Sequence, residues 1–415
     1  MNTPVPIILA ITIAIAVVSE NLRIDIICNC NDKELVDSTR LAVPINDSYS
    51  NALPKPKMNM QKPLLISDPS EVTAAWLSDV FRYAGLEGTV NSFKAHSIGT
   101  GQVGENIRFE LIGSKDIPKT VVGKFPSNDP ISRQTGIDTY NYIREVHFYK
   151  NLQSKVLIET PDIFYTEADI EKHDFVIMME DLAPGEQGDQ LGGCDHQKAE
   201  LAMIQLAHLH GPLWGDTTIV DDVLISNRKN GGQAISDLFN MVSNGFLARY
   251  SKHLTQNEKE MVQLVGDNLE VFMASYAGEQ TLVHLDYRLD NMMFGGAKPL
   301  TVVDWQSPAF DCAIGDVSYF MGTSIMDDTR KEVEEKLVKK YFETLSTYNV
   351  SMTWDECWHY YRHYAPAGLI MAGVASMIVG ETKRGNEMFM VMAKRSARMS
   401  RDLDAIGAIR GSYTT

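Results

Sequence analysis

The segment from His284 to Asn291 carries the side chains whose types and spacing are most specific for chemistry. It reads H-x-D-x-x-x-x-N, and a short apolar run downstream ends in Asp304. Phosphoryl transfer from ATP needs a carboxylate that accepts the proton of the attacking hydroxyl, and an amide oxygen and a second carboxylate that hold Mg²⁺. We therefore predict that Asp286 is the catalytic base and that Asn291 and Asp304 are Mg²⁺ ligands.

Two local patterns would position these side chains in one cleft. Asn291 follows Asp286 by five positions, a spacing that suits a tight loop with both side chains turned the same way. Residues 301–303 form an apolar run that predicts a short buried strand, which would deliver Asp304 to the same cleft. The H-x-D-x-x-x-x-N pattern alone can arise by chance in a polar loop, but Asp304 in the required order favours a functional site.

A glycine motif lies upstream, where a nucleotide-binding half is expected. Gly99, Gly101 and Gly104 form the pattern G-x-G-x-x-G, which also fits a dinucleotide-binding fold or a plain hairpin turn. A dinucleotide site needs a helix directly after the glycines, whereas residues 106–112 alternate polar and apolar side chains and predict a strand. We predict a flap between two strands, whose backbone N–H groups approach phosphate oxygens because glycine has no side chain.

A lysine and a glutamate complete the predicted phosphate site. Lys124 lies near the end of an apolar strand, residues 120–125, as expected for the lysine that contacts the α- and β-phosphates. Glu145 lies in residues 140–149, whose apolar positions have helical spacing, and it is the predicted partner of Lys124. A solvated lysine and an ordinary surface glutamate are the alternatives, and the order of the two residues along the chain favours the pair.

The order of these parts resembles the aminoglycoside phosphotransferase and choline kinase group, and most closely its ecdysteroid-kinase-like (CHK kinase-like) branch. Segments similar to that branch are residues 144–149, 284–291, 303–306 and 315–320, and the resemblance covers roughly residues 61–410. It implies an α+β, bilobal protein-kinase-like fold with a small β-rich N-lobe and a larger, mainly helical C-lobe. It also implies ATP and Mg²⁺ as cofactors and a small-molecule hydroxyl as acceptor. Asp304-Trp305-Gln306 replaces the D-F-G of protein kinases, in agreement with this group.

The resemblance also implies a hinge and the limits of two lobes. The apolar strand at residues 175–182 occupies the position that joins the lobes in kinase-like folds, where the backbone meets adenine. Residues 178–182 are the candidate hinge, and Met179 and Glu180 are predicted to contact the nucleotide, with an edge strand carrying solvated acids as the alternative. The predicted domains are a nucleotide-binding N-lobe, residues 61–181, and a catalytic and acceptor-binding C-lobe, residues 182–415.

Three further residues near the catalytic motif receive roles of support. Asp316 is similar to an aspartate of this family that braces the catalytic loop. His284 is expected to orient the loop rather than to react. Arg288 either contacts phosphate or pairs with an acid, and the sequence leaves these two alternatives open.

Length, charge and the N-terminal segment limit the partners and the location. The 415 residues suit two lobes rather than one small core. The net charge of -16 argues against a nucleic-acid partner, which would require a basic face.

Residues 1–60 are predicted to be an extension outside the fold, and their apolar run at residues 7–18 is shorter than the roughly 17 residues of a membrane span. A signal or weak anchor, an extra strand and a misplaced start codon remain open for it. We expect a cytoplasmic protein without stable membrane association of residues 61–415.

The predicted function is an ATP- and Mg²⁺-dependent kinase acting on a hydroxyl of a small molecule. A protein kinase is the first alternative, but only ten residues separate Asp304 from Gly315, too few for an activation loop. A catalytically inactive nucleotide-binding module is a second alternative, although the base and both metal ligands are present. A nicotinamide-cofactor protein is a third, and the strand after the glycines argues against it. No motif identifies the acceptor, so an aminoglycoside, a choline-like amine, a steroid and other alcohols stay open.

Three local patterns add predictions of secondary structure. Ser70 is a candidate N-cap of a helix that begins at residues 70–77. Residues 127–139 read as a polar loop. Residues 354–379 read as one long helix of the core, aromatic at first and apolar later.

Overall fold

The computed structural model describes residues 61–99, 103–221, 224–225, 232–274, 278–378 and 382–413. The first part of the described chain contains the strands β1 (Val90–Ile98), β2 (Gly104–Gly113), β3 (Thr120–Pro126), β4 (Ile163–Asp169) and β5 (Asp174–Glu180). They form an antiparallel sheet with the order β1-β2-β3-β5-β4. Strand β2 is the strand predicted after the glycine motif, so this motif falls between β1 and β2 in the chain.

The sheet is accompanied by the helices α1 (Ala74–Tyr83), α2 (Pro130–Asp138) and α3 (Asn141–His147). For two of these helices, the predictions of secondary structure were wrong. Thr73, not Ser70, caps α1, because its side chain accepts a backbone N–H of the first turn. Helix α2 replaces the loop predicted for residues 127–139, since the side chain of Asp129 caps it and Pro130 has a backbone angle suited to a first turn.

The two faces of the sheet belong to different hydrophobic cores, because side chains alternate along a strand. On one face, Phe109 and Phe125 share a core with helix α1. On the other face, Ile177 and Met179 belong to the core that continues into the C-terminal helices. Lys124 is paired with Ile177 across β3 and β5, which places it on this second face, above the helical half.

The remainder of the described chain is mainly helical, with two small sheets. Its strands are β6 (Glu186–Gln187), β7 (Gln280–Val283), β8 (Met292–Phe294), β9 (Leu300–Val302) and β10 (Ala309–Cys312). Strands β6, β8 and β9 form one sheet, and β7 pairs with β10 in the other. The helices are α4 (His196–His210), α5 (Gly232–Tyr250), α6 (Gln256–Asp267), α7 (Leu269–Ala274), α8 (Ala313–Ser324), α9 (Asp327–Leu345), α10 (Trp354–His363), α11 (Ala367–Ile378), α12 (Lys383–Asp402) and α13 (Ala405–Tyr413).

The long helix predicted for residues 354–379 is two helices, α10 and α11. Pro366 lies between them. A proline has no N–H to donate to the preceding turn and its ring crowds that turn, so α10 ends before it. The carbonyl of Pro366 accepts the N–H of Ile370 and so takes part in the first turn of α11.

The predicted fold class is confirmed: the chain is an α+β protein with a smaller β-rich half and a larger helical half. The limits predicted for the two lobes, residues 61–181 and 182–415, stay a proposal, which the separate core around α1 supports. Within the described ranges, no helix has the length and apolar character needed to cross a membrane. The extension at residues 1–60, including the apolar run, lies outside the described residues.

Candidate active site

Lys124, Glu145 and Asp304 form an ion-paired group, which we call the nucleotide cluster. The Nζ of Lys124 lies 2.7 Å from one carboxylate oxygen of Glu145 and 2.9 Å from the other. The same nitrogen lies 2.9 Å from Oδ1 of Asp304. Strand β3, helix α3 and the segment after β9 each contribute one member. The fold therefore joins Lys124 to partners that are 21 and 180 positions away in the sequence.

Burial determines how the first two members of the nucleotide cluster ionise. Lys124 is 9% exposed and Glu145 is 2% exposed. Burial raises the pKa of Glu145 to about 7, and the positive charge of Lys124 opposes this only in part. Burial alone would lower the pKa of Lys124, but the carboxylates of Asp304 and Glu145 outweigh it and hold that pKa above its usual range. Lys124 therefore stays protonated, whereas Glu145 titrates near neutral pH.

Asp304 has one oxygen that is engaged and one that is open. Its Oδ1 accepts hydrogen bonds from Lys124 and from the side-chain amide of Gln306. Among the residues that the structure describes, none donates to its Oδ2. Burial opposes ionisation, but Lys124 and Gln306 hold the pKa of Asp304 below its usual range. The backbone of Asp304 has φ +67°, a left-handed conformation that costs a non-glycine residue about 1–2 kcal/mol. An ionised carboxylate with an open oxygen is suited to bind a cation.

Trp305 connects the nucleotide cluster to the catalytic motif. Its ring stacks on that of Phe148, with centroids 3.8 Å apart and parallel planes. Its ring centroid also lies 4.6 Å from that of His284. All three rings are buried. Because Phe148 directly follows α3, the stack joins the helix that carries Glu145 to the segment that carries Asp304.

Two glycines of the predicted flap, Gly99 and Gly104, are described, and Gly104 lies beside Lys124. Gly99 has φ +70°, a conformation that glycine adopts without strain. A Cβ at Gly104 would lie 3.1 Å from the carbonyl oxygen of Phe125 and 3.3 Å from Cε of Lys124. Strand β2 therefore approaches the lysine closely because no side chain intervenes. Gly101 lies outside the described residues, and the phosphate-binding role of all three glycines stays a prediction.

The predicted hinge, residues 178–182, has both occupied and open polar atoms. Met179 is buried in the sheet and paired with both neighbouring strands. The N–H of Glu180 donates to the carbonyl of Asp162 at 2.9 Å, and its carboxylate lies 3.3 Å from Nζ of Lys298. This N–H and this carboxylate are therefore occupied within the protein. The N–H of Leu182, the last residue of the predicted hinge, has no hydrogen-bond partner among the described residues and is an open donor. The sequence reasoning missed Lys298, which no motif marks.

Asp316 holds the backbone of the catalytic loop, residues 284–291. Its carboxylate accepts the N–H of His284 at 2.7 Å and that of Leu285 at 3.0 Å. Leu285 has φ +67°, and the two hydrogen bonds offset the strain of this conformation. The Nε2 of His284 lies 3.1 Å from the carbonyl oxygen of Val303, which ties the loop to the segment after β9. These contacts agree with the bracing and orienting roles that the family resemblance implies.

Asp286 is 2% exposed and surrounded by hydrogen-bond donors. The Nε of Arg288 lies 3.0 Å from Oδ1 and 3.2 Å from Oδ2. The hydroxyl of Tyr319 donates to Oδ1 at 3.0 Å. The side-chain amide of Asn291 donates to Oδ2 at 2.9 Å. Both oxygens of Asp286 are thus held in place by these three donors, and we call the four residues the catalytic-loop cluster.

Asn291 and Asp304 fit the requirements of Mg²⁺. The Nδ2 of Asn291 donates to the backbone oxygen and to Oδ2 of Asp286, both at 2.9 Å, which leaves its Oδ1 for a cation. The N–H of Val303 donates to the carbonyl of Asn291 at 3.0 Å and so ties the loop to the segment that carries Asp304. No group of three or more acidic, His or Cys side chains suited to a metal occurs in the described part of the chain. Mg²⁺ is commonly held by one or two protein oxygens together with phosphates, and this pair can supply such ligands.

Two arginines neutralise the charge of Asp290. This aspartate was not among the site residues predicted from the sequence. The Nη1 of Arg288 lies 2.8 Å from Oδ2 of Asp290, and Nη2 of Arg384 lies 3.2 Å from its Oδ1. Burial would raise the pKa of Asp290, but the two arginines hold it below its usual range. Arg288 therefore pairs with two acids, Asp286 and Asp290, which is one of the alternatives left open. The only sequence signal for Asp290 was its place inside the H-x-D-x-x-x-x-N motif.

One protein-family model matches the part of the chain that contains most residues of this site. The model described as ecdysteroid kinase-like matches residues 113–352. That segment contains Lys124, Glu145, Asp304 and the whole catalytic loop. No curated protein matches the chain.

Several solved structures are similar to the chain at low identity. An ethanolamine kinase of Plasmodium vivax is 9% identical with a TM-score of 0.46, and the similarity covers 75% of this chain and 85% of that one. A spectinomycin phosphotransferase in complex with ADP and spectinomycin is 10% identical with a TM-score of 0.40, over 83% of this chain and 100% of that one. A microcompartment-associated aminopropanol kinase is 11% identical with a TM-score of 0.42, over 76% of this chain and 94% of that one. Similarities of this size carry no information about the substrate of this chain.

Proposed function

The chain belongs to the ecdysteroid kinase-like family and is a small-molecule kinase, and from this premise we propose that it transfers the γ-phosphoryl group of ATP to a hydroxyl group with the help of Mg²⁺. The observation that carries the proposal is the contact of Lys124 with both Glu145 and Asp304 at 2.7–2.9 Å. A protonated lysine held between two carboxylates, beside a loop with a third carboxylate and an amide, is the arrangement that transfer from a nucleoside triphosphate requires.

The nucleotide cluster would bind the phosphates of ATP. Lys124 would contact the α- and β-phosphates, and Glu145 would orient it from α3. Asn291 and Asp304 would hold Mg²⁺, which supplies positive charge that neutralises the phosphate oxygens during transfer. Gly99, Gly101 and Gly104 would cover the phosphates with backbone N–H groups.

The end of β5 and the segment directly after it would bind the adenine. Met179 would pack beside the base, and the chain at Glu180 would approach its edge. The open N–H of Leu182 supports this position, because a backbone donor without a partner can bond to a ring nitrogen.

Asp286 would act on the acceptor. Its carboxylate would orient the acceptor hydroxyl and take its proton as the hydroxyl oxygen attacks the γ-phosphorus. The bond between the γ-phosphorus and the bridging oxygen of ADP breaks in the same step, and ADP leaves. Arg288, Tyr319 and Asn291 would keep the carboxylate in position for this step.

A protein substrate is less compatible with the chain between Asp304 and α8. That segment is buried at most positions and contains β10, which pairs with β7. It therefore leaves no room for the activation loop by which protein kinases bind peptides. We propose a small alcohol as acceptor, with amino alcohols, aminoglycosides, sugars and steroids as the classes to test. Because the reaction consumes ATP, we also propose that the protein acts in the cytoplasm.

The test is ATP consumption by the full-length protein with Mg²⁺ across that panel of acceptors. The matched variants are Asp286→Asn, which keeps the shape of the base and removes its charge, and Asp267→Asn, which changes an exposed aspartate at the end of α6. We expect turnover with one acceptor class, loss of turnover in Asp286→Asn, and wild-type turnover in Asp267→Asn. A wild-type protein that binds no Mg-ATP, or an Asp286→Asn variant with full activity, would contradict the proposal.

A further inference from the structure

Helix α8 contacts the catalytic loop at two points. Asp316 accepts backbone N–H groups of the loop, and Tyr319 donates to the side chain of Asp286. The two residues are three positions apart on a helix, so they lie on the same face. One face of α8 therefore holds both the backbone of the loop and its reactive carboxylate.

Tyr319 is suited to act as a permanent donor. Its side chain is only 3% exposed, and its hydroxyl lies 3.0 Å from Oδ1 of Asp286. Burial, reinforced by the charge of Asp286, holds the pKa of Tyr319 well above its usual range. The hydroxyl thus keeps its proton at all physiological pH values.

The donors around Asp286 distinguish its two oxygens. A carboxylate has about four acceptor positions, two on each oxygen. On Oδ1, the hydroxyl of Tyr319 and the Nε–H of Arg288 occupy both, at 3.0 Å each. On Oδ2, Asn291 occupies one position at 2.9 Å. The only other contact to Oδ2 from the described residues is the same Nε–H of Arg288, at the longer distance of 3.2 Å. Oδ2 thus retains capacity for a further hydrogen.

We propose that Tyr319 is a positioning residue that commits Oδ1 of Asp286 to the protein and leaves Oδ2 to accept the proton of the acceptor hydroxyl. This inference rests on the proposed function. In the reaction, the proton of the acceptor hydroxyl passes to Oδ2 of Asp286. The acceptor oxygen bonds to the γ-phosphorus as the bond from the γ-phosphorus to the bridging oxygen of ADP breaks, and ADP departs. Without the hydroxyl of Tyr319, Oδ1 keeps only the Nε–H of Arg288, which also contacts Oδ2. Oδ1 then has a free acceptor position and competes with Oδ2 for the acceptor hydroxyl.

The first test compares Tyr319→Phe with Tyr361→Phe in the full-length protein. The control is closely matched, because Tyr361 is also buried and its hydroxyl donates to a carboxylate, that of Glu334 on α9, at 3.2 Å. We expect Tyr319→Phe to lower kcat by about 10- to 100-fold, the value of one hydrogen bond to a charged group, with little change in KM for ATP. Tyr361→Phe should lower the melting temperature and leave kcat unchanged.

The second test is a double-mutant cycle. In an Asp286→Asn background, Tyr319→Phe should lower the residual kcat no further, because its effect passes through the carboxylate. An equal loss in both backgrounds overturns the positioning role. A Tyr319→Phe variant with wild-type kcat also overturns it and leaves the proposed function intact.

A wild-type protein that transfers no phosphate would contradict the proposed function instead. In that case the inference is tested by the free energies of unfolding of the wild type, Tyr319→Phe, Asp286→Asn and the double variant. Non-additive effects of the two substitutions would support the hold of Tyr319 on Asp286, and additive effects would overturn it.

Discussion

The nucleotide cluster and the catalytic-loop cluster are both largely buried, yet they differ in the kinds of contact that hold them. In the first, Lys124 lies between two carboxylates, and the pKa of each of the three groups departs from its usual value. In the second, Asp286 is held by donors on residues 2, 5 and 33 positions away. The first cluster therefore consists of ionisable groups alone and depends on charge and pH, whereas the second adds the neutral donors of Asn291 and Tyr319 to one ion pair of Asp286 with Arg288. Substitutions that change charge without changing shape separate the two.

The largest effect is expected from Asp304→Asn, which removes a charge from the nucleotide cluster. The variant loses a carboxylate ligand for Mg²⁺ and one partner of Lys124, so kcat/KM for ATP should fall by about 10³-fold. The measurement is turnover as a function of Mg²⁺ concentration, with Asp267→Asn as the matched control. A variant within tenfold of the wild type would show that charge does not dominate this cluster.

The next effect concerns stability in the catalytic loop. Asp316→Ala leaves the N–H groups of His284 and Leu285 without their acceptor in a buried site, which should lower the free energy of unfolding by about 3 kcal/mol. Asp316→Asn keeps one acceptor oxygen and should cost less. Urea unfolding of both variants measures the difference. Equal losses would mean that the charge of Asp316, rather than its geometry, holds the loop.

A pH series tests the electrostatic character of the nucleotide cluster directly. Glu145 has a pKa raised from 4.5 to about 7, so its contribution to stability is fully present below pH 4.5 and is lost as the pH rises through 7. At about 1.4 kcal/mol per pKa unit this amounts to about 3 kcal/mol. The stability of the wild type relative to Glu145→Gln should therefore fall between pH 4.5 and 7. Urea titrations at several pH values measure it, and a difference that does not change with pH would contradict the assignment.

The smallest effect compares two arginines of one ion-pair chain. Arg288→Met removes a donor from Asp286 and should lower kcat by about tenfold. Arg384→Met removes a partner of Asp290, but the Arg384 side chain is 55% exposed and its ion pair is screened by water, so kcat should change less than about threefold. Steady-state kinetics of both variants decide. Equal losses of kcat in the two variants would contradict this expectation and would show that Arg384, on the surface of α12, also supports Asp286.

The sequence was most informative where the chemistry requires residue types in a fixed order. Lys124, Glu145 and Asp304 were predicted from that order, and the structure brings them within hydrogen-bonding distance. The fold class was predicted in the same way, through the family resemblance. Tyr319 lies in a segment that was similar to the family, but the residue that faces the catalytic loop depends on how α8 rotates against it. That rotation results from packing, which a local pattern does not specify.

The errors have local physical causes. The helix at residues 354–379 was read as continuous because its apolar content hid the effect of Pro366. The start of α1 was assigned to Ser70, although Thr73 has the same capping ability and lies at the true boundary. The side-chain pairing of Arg288 was left open because a long side chain can reach several acids, and only the positions of Asp286 and Asp290 decide among them.

The stack between Trp305 and Phe148 has a mechanical consequence. The ring of Trp305 touches both Phe148, which directly follows α3, and His284 of the catalytic loop, and all three rings are buried. Helix α3 and the helical half are thereby expected to move as one rigid body. We therefore expect a nucleotide to enter by displacement of β1 and β2, which share the separate core with α1, rather than by separation of α3 from the helical half.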